Sequence, residues 1–266
     1  MDHLANITEK KFRKLSLMVS GEGFWYCVTD TLNGKVISVK RVQFDKANPA
    51  KVHDQYWKAF VDHTDLTRDY DEVVVIHDNA LNTFVPHALF DEEFLGSYLQ
   101  YNTKVFETDY FAFDDLTPYD MNNVYIPFVD INNFLIDHFG PFTYKNANSV
   151  LVQKLLERSK NNDDRQMFAH IDGSHFEIVV IQNQKMILFN SFQYSTPEDF
   201  LYYLLFTAEQ LDLNPEHFRL TLLGDVTAES DVYRIAFDYV RNVSLLDAET
   251  DGLSDQESRR HFILTA

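Results

Sequence analysis

With 266 residues, 45% of them hydrophobic, the chain is long enough for two domains and for a sizeable core. A formal net charge of −18 sets it against nucleic acid and anionic membrane surfaces, both of which repel so acidic a protein. The single cysteine, Cys27, excludes an internal disulfide and a cysteine-built metal site. The lack of an apolar N-terminal core, or of any run of about 18 apolar residues, leads to the expectation of a cytoplasmic protein without membrane insertion.

The first ten residues read as a lead-in. "KLSLMVS" (Lys14 to Ser20) then reads as a strand, "GEG" as a break, and the aromatic, β-branched "FWYCVTD" (Phe24 to Asp30) as a second strand. Asn33-Gly34 is a strong hairpin signal, and Val36 to Phe44 makes a third strand. A helix is predicted after Pro49, with Val52, Tyr56 and Phe60 at helical spacing. Glu72 to Asp78 has the apolar run of a buried strand. Next come "TFVPHALF", an acid-capped helix "DEEFLGSYLQYN", extended pieces around Val105 to Phe113 and Tyr125 to Phe128, and a short helix stopped by Gly140-Pro141. Asn148 to Lys160 is an amphipathic helix ending in basic residues.

"NNDDRQ" is the most linker-like stretch, and after it the opening pattern starts again. "QMFAHI" and "HFEIVVIQ" flank an Asp-Gly-Ser turn, and an Asn-Gln turn leads to "KMILFNSFQY". A helix begins at Pro197, Arg219 to Asp225 reads as a buried strand, "SDVYRIAFDYVRNV" as a helix, and the closing "HFILTA" as a last strand. The acidic stretch "LLDAETDGLSDQESRR" before it reads as a mobile loop. Ser20 lies opposite Asp172, Asn33 opposite Asn183, Pro49 opposite Pro197 and Val73 opposite Leu220, at a nearly constant offset of about 150 residues. The expected fold class is therefore α/β, a duplicated βββαβα unit with a first domain over 1–163, a second over 164–266, and an insertion at about 90–142 in the first half.

Such a duplication resembles the actin, sugar-kinase and Hsp70 superfold, the actin-like/ribonuclease H-like two-domain fold. "NSFQYSTPEDFLYYLLFTAEQL", followed by "LLGD" and "YVRNV", resembles the bacterial proteins grouped as domain of unknown function 3822. That resemblance is strongest from Phe168 to Val243. It implies an actin-like ATPase fold and supplies no activity. The superfold implies ATP and Mg²⁺ as cofactors, held between domains.

The residues themselves give that site partial support. A phosphate hairpin needs glycine for close backbone donors and a carboxylate for the metal. The first turn, Ser20-Gly21-Glu22-Gly23, has the glycines but not the aspartate, and Glu22 is out of register. The second turn, Asp172-Gly173-Ser174, supplies a Mg²⁺ carboxylate in Asp172, backbone at Gly173 and a hydroxyl at Ser174. Where the superfold carries a glycine pair beside adenosine, this chain has Gly224 followed by Asp225, whose charge repels phosphate unless a metal intervenes. No Lys or Arg falls on these turns. The expectation is a non-catalytic or weakly nucleotide-binding module that contacts an unidentified protein partner. The alternative is an active Mg²⁺-ATP-dependent ATPase or small-molecule kinase using Asp172, Gly173, Gly21 and Gly224.

Other arrangements carry less. His170 and His175 bracket the Asp-Gly-Ser turn, but strand positions five apart are expected on opposite faces, which argues against zinc. His77 and His87 read as ordinary polar positions. Cys27 reads as a small buried hydrophobe. In "FLYYLLF" (Phe200 to Phe206), Tyr202, Tyr203 and Phe206 extend beyond the apolar stripe and suit either domain packing or a partner surface.

Overall fold

The computed structural model describes residues 10–45, 52–160 and 162–265. Its strands follow the alternation in the sequence. Leu15, Leu17 and Val19 of β1 (Arg13–Ser20) lie opposite Val28, Tyr26 and Phe24 of β2 (Gly23–Asp30), and all six are buried on one face. The Asn33-Gly34 turn leads to β3 (Val36–Gln43), with Gly34 at φ +72° and its N–H on the carbonyl of Asp30. Pro49 lies outside the described residues. Helix α1 (Val52–Asp62) buries Tyr56, Ala59 and Phe60 against that face. It carries the chain across to β4 (Glu72–His77), parallel to β1.

A second, smaller layer follows. β5 (Asn82–Pro86), α2 (Leu95–Leu99), β6 (Ala112–Leu116) and β7 (Met121–Tyr125) give a three-stranded antiparallel sheet of order β5-β7-β6 around Val85, Leu99 and Val124. α3 (Val129–Phe139) then returns to the first core through Ile131, Phe134 and Leu135. β8 (Thr143–Asn146) completes a five-stranded sheet of order β3-β2-β1-β4-β8. α4 (Ala147–Arg158) follows directly.

The chain divides into two compact units, one running to Ser149 and the other from Val150 to Leu264. The second unit contains β9 (Gln166–Asp172), β10 (His175–Gln182), β11 (Lys185–Gln193), α5 (Pro197–Gln210), β12 (Arg219–Gly224), α6 (Asp231–Tyr239), β13 (Asn242–Leu245) and α7 (Asp255–Arg260). Its sheet order is β11-β10-β9-β12-β13. As in the first unit, two antiparallel pairings are followed by two parallel ones. The core joins Met167, Ala169 and Ile171 of β9 with Phe200 and Leu204 of α5 and Ala236 of α6. Thr196 and Asp199 form a reciprocal capping box at the start of α5, with Pro197 in its first turn.

Several sequence expectations are corrected. Of the extended piece expected around Val105 to Phe113 only Ala112 and Phe113 are strand, the rest being irregular with a turn at Glu107 and Thr108, and of that expected over Tyr125 to Phe128 only Tyr125 is strand. The last predicted helix ends at Tyr239, and Asn242–Leu245 is the edge strand β13. The acidic stretch after it contains α7, whose Ser254–Glu257 capping box satisfies its first amides. "HFILTA" is not a strand. Phe262, Ile263 and Leu264 are buried, but in turns after α7. Among the described residues no helix is long and apolar enough to cross a membrane.

Candidate functional site

The β9–β10 hairpin places Asp172, Gly173 and Ser174 at one end of the second sheet. Gly173 takes φ +57°, and a Cβ there would meet nothing within 4 Å. The turn is pinned from beyond β11: the Tyr194 hydroxyl donates to the carbonyl of Gly173 at 2.8 Å, and the Tyr194 N–H donates to the carbonyl of Ser174 at 2.9 Å. Gly224 ends β12 beside the same strand, paired with Ile171. Asp172, Gly173, Ser174 and Gly224 are thus brought to one sheet end. Gly21 and Gly23 belong to the other unit, in its β1–β2 turn.

The four glycines differ in what they do. Gly224 has φ +90°, and a Cβ there would stand 2.2 Å from the carbonyl oxygen of Ile171. Gly23 has φ +144°, and a Cβ would stand 2.2 Å from the carbonyl oxygen of Val42. Both are required by close backbone packing inside their own sheets. Gly21 has open space around it and no positive φ. Of these four, only Gly173 combines a left-handed backbone with open space. At the first turn Ser20 Oγ donates to the carbonyl of Gly23 and accepts from the N–H of Glu22, so that hydroxyl is engaged within the turn.

Charge at the second turn is carried by carboxylates. Burial raises the Tyr194 hydroxyl above its ordinary pKa, and the charges of Asp225 and Asp172 raise it further. Both carboxylates therefore act on one hydroxyl at the sheet end. Asp225 is met by Arg260, Nη2 to Oδ2 3.2 Å. Toward Mg²⁺-ATP the fit is partial: a carboxylate such as Asp172 suits the metal, but the Cβ side of Gly224 is filled by the Ile171 carbonyl and Arg260 is engaged with Asp225. Among the described residues no group of three or more His, Cys, Asp and Glu is arranged to hold a metal ion.

The histidine argument from the sequence is corrected. Across this tight hairpin Asp172 pairs with His175 and His170 with Glu177, so all four lie on one face. The nearly buried Glu177 accepts from His170 Nδ1 at 2.9 Å and from the Ser191 hydroxyl at 3.3 Å, and His175 Nε2 lies 3.5 Å from it. Glu177 was missed because its place in an apolar run marks only the strand. A period-two register drawn across the Asp-Gly-Ser turn would have found it.

The first unit holds a buried polar cluster that periodicity does not register. Asp114 accepts from the Asn146 N–H at 2.8 Å and the Tyr125 hydroxyl at 3.2 Å, and burial holds its carboxyl above the usual carboxylate range. Asn123 donates to Asn146 Oδ1 and Ser149 Oγ. Nearby, His77 receives the Phe128 N–H on Nδ1, so Nε2 carries the proton that faces Asn132 at 3.0 Å. Burial pushes His77 down to about 4. Cys27 is sealed in the first sheet, and burial pushes its thiol up.

On α5, Tyr202 and Phe206 turn away from the core and stack at 6.1 Å, 62% and 45% exposed. Tyr203 instead stacks on Phe192 at 4.6 Å.

A family described as protein of unknown function (DUF3822) matches residues 2–243. No curated protein matches the chain. Among solved structures, a Bacteroides thetaiotaomicron VPI-5482 protein with actin-like ATPase fold and unknown function superposes with a TM-score of 0.81 at 19% identity, over 95% of this chain and 97% of that one. A chain of the PilM-PilN type IV pilus biogenesis complex gives a TM-score of 0.65 at 12% identity, over 95% and 97%. At these identities the likeness establishes the fold, that of the actin-like ATPases.

Proposed function

The chain belongs to the DUF3822 family of proteins of unknown function, and from that premise we propose that it acts by binding another protein and does not turn over ATP. One observation carries the reading: beside the second turn, Asp225 already holds Arg260 at 3.2 Å, and the Cβ side of the neighbouring Gly224 is filled by the Ile171 carbonyl, so both the cation and the glycine are engaged within the chain. Phosphoryl transfer is positioning and charge stabilisation, and the cation at this end, Arg260, is committed to Asp225. Gly173 alone keeps the geometry for a weak anion contact.

Protein contact draws support from two sides. The stacked, outward Tyr202 and Phe206 are rings the core does not use. A structure of similar fold is part of a protein–protein complex, PilM-PilN. The test is thermal unfolding with and without millimolar Mg²⁺-ATP, together with a phosphate-release assay. An unchanged midpoint and no release support the reading. Turnover that disappears in Asp172→Ala sinks it and makes the chain an ATPase or kinase.

A further inference from the structure

Outside the phosphate turns, the first unit contains a groove along α2 and the turns that lead into β6. Its volume is about 750 Å³, within the range of ligand sites. Phe94, Phe106 and Tyr110 line it, each more than half exposed at 54%, 53% and 57%. None of the three belongs to the small core of Val85, Leu99 and Val124, nor to the apolar residues packed on it. Phe111 does pack there, over Gly96, where a Cβ would stand 3.1 Å from its ring. Phe94 and Phe106 are therefore surplus to that core, while Tyr110 keeps its ring in the groove and its hydroxyl on Tyr144. An exposed apolar patch of this kind marks a place of contact.

The charge around the rings is one-sided. Glu92, Glu93, Glu107 and Asp109 line the groove, against the single cation Lys104. Asp109 accepts from the Phe106 N–H at 2.8 Å, which fixes the turn that carries that ring. The carboxylates of Glu92, Glu93 and Glu107 have no ion-pair partner among the described residues. Lys104 places its ammonium 4.9 Å from the centre of the Phe106 ring, so that ring already takes a cation, which an incoming Arg would displace.

We propose that this groove docks a basic, extended segment of a partner protein, its Arg and Lys side chains seated on the rings and facing the glutamates. This rests on the reading that the chain acts through protein contact, and it adds where and with what chemistry. Carboxylates around aromatic faces select cations and reject acidic segments, so complementarity of charge decides the occupant.

The test is fluorescence anisotropy of the full chain with a labelled eight-residue peptide alternating Arg and Gly, and with its Glu-for-Arg counterpart, at about 150 mM salt. The expected result is binding of the Arg peptide alone, weakened about tenfold or more by Glu93→Lys with Glu107→Lys and by Phe106→Ala. Glu198→Lys with Asp238→Lys, a charge reversal of equal size on α5 and α6, should change it less than about twofold. Equal weakening by that remote pair would reduce the effect to bulk charge and overturn the proposal. Absence of binding overturns it as well. A dimer in sedimentation that Phe106→Ala dissolves would give the groove to a second copy, which also overturns it. None of these outcomes alters the Mg²⁺-ATP result, so failure here and failure of the non-catalytic reading are told apart.

Discussion

Gly224 stands so close to Ile171 that a Cβ would lie 2.2 Å from the Ile171 carbonyl oxygen, while the next N–H, that of Asp225, donates to that same oxygen at 2.7 Å. Neither neighbour can give way, because the atom met is backbone. Gly224→Ala should therefore destabilise the chain by about 3 kcal/mol or more, from overpacking and from the strained φ together. Gly21→Ala, with open space and ordinary backbone, should stay within about 0.5 kcal/mol. Urea unfolding of the two variants checks the contrast, and equal costs would show that these glycines are not set by packing.

Mg²⁺-ATP at millimolar concentration should leave the unfolding midpoint of the wild type and of Asp172→Ala at the same shift, near zero. A ligand held by the native state at a hundred times its Kd would add about 2.7 kcal/mol, a shift no thermal scan would miss. A rise present in the wild type and absent in Asp172→Ala would instead identify the Asp-Gly-Ser turn as a working phosphate site.

Tyr194→Phe removes the hydroxyl that holds the Gly173 carbonyl and keeps the ring against Phe176. The expected cost is about 1 kcal/mol. Hydrogen exchange should quicken at residues 172 to 175 and not in α5. Uniform quickening would mean that the tyrosine supports the whole unit.

His77 gives the chain a pH dependence of known sign. Its folded value of about 4 lies below the ordinary 6.5, so the unfolded chain takes up the proton first. Its full contribution holds above pH about 6.5 and is eroded as pH falls toward about 4, below which nothing more is lost. Between pH 7 and 5 this one residue should remove about 2 kcal/mol. His261, held at about 4 by burial and by Arg260, acts in the same direction, while the raised carboxyl of Asp114 acts against both. The difference between wild type and His77→Gln isolates the effect: the variant's stability should fall less steeply over that interval. Parallel slopes would refute it.

The strands were legible for two reasons: a buried face alternating with a less buried one writes a period of two into β1 and β2, while β9 and β10, buried on both faces, read as continuous apolar runs between turn residues. Short edge strands write no such period. Asn242–Leu245 has four residues and follows a helix, so it read as more helix. Phe262, Ile263 and Leu264 are apolar because they are buried, which says nothing about pairing. Val105 to Phe111 read as extended because aromatic residues favour strands, yet Phe106 and Tyr110 are rings on a groove. At the candidate site, Asp172 and Gly173 were visible as a turn. The closure of Gly224 by Ile171 was not, because contact between backbones leaves only a glycine in the sequence, the same letter a nucleotide would leave. Asp114, Asn123 and Asn146 were overlooked for a related reason: a pattern that counts apolar residues does not see polar groups buried together.

Cys27 has the last consequence. Its thiol is fully buried in the first sheet and is the only one in the chain. The native protein is thus silent to maleimide chemistry, and any cysteine introduced on its surface becomes a unique address. A fluorophore at Thr108 beside the groove, or at Ser174 on the hairpin, would report on one locality at a time, with no background to subtract.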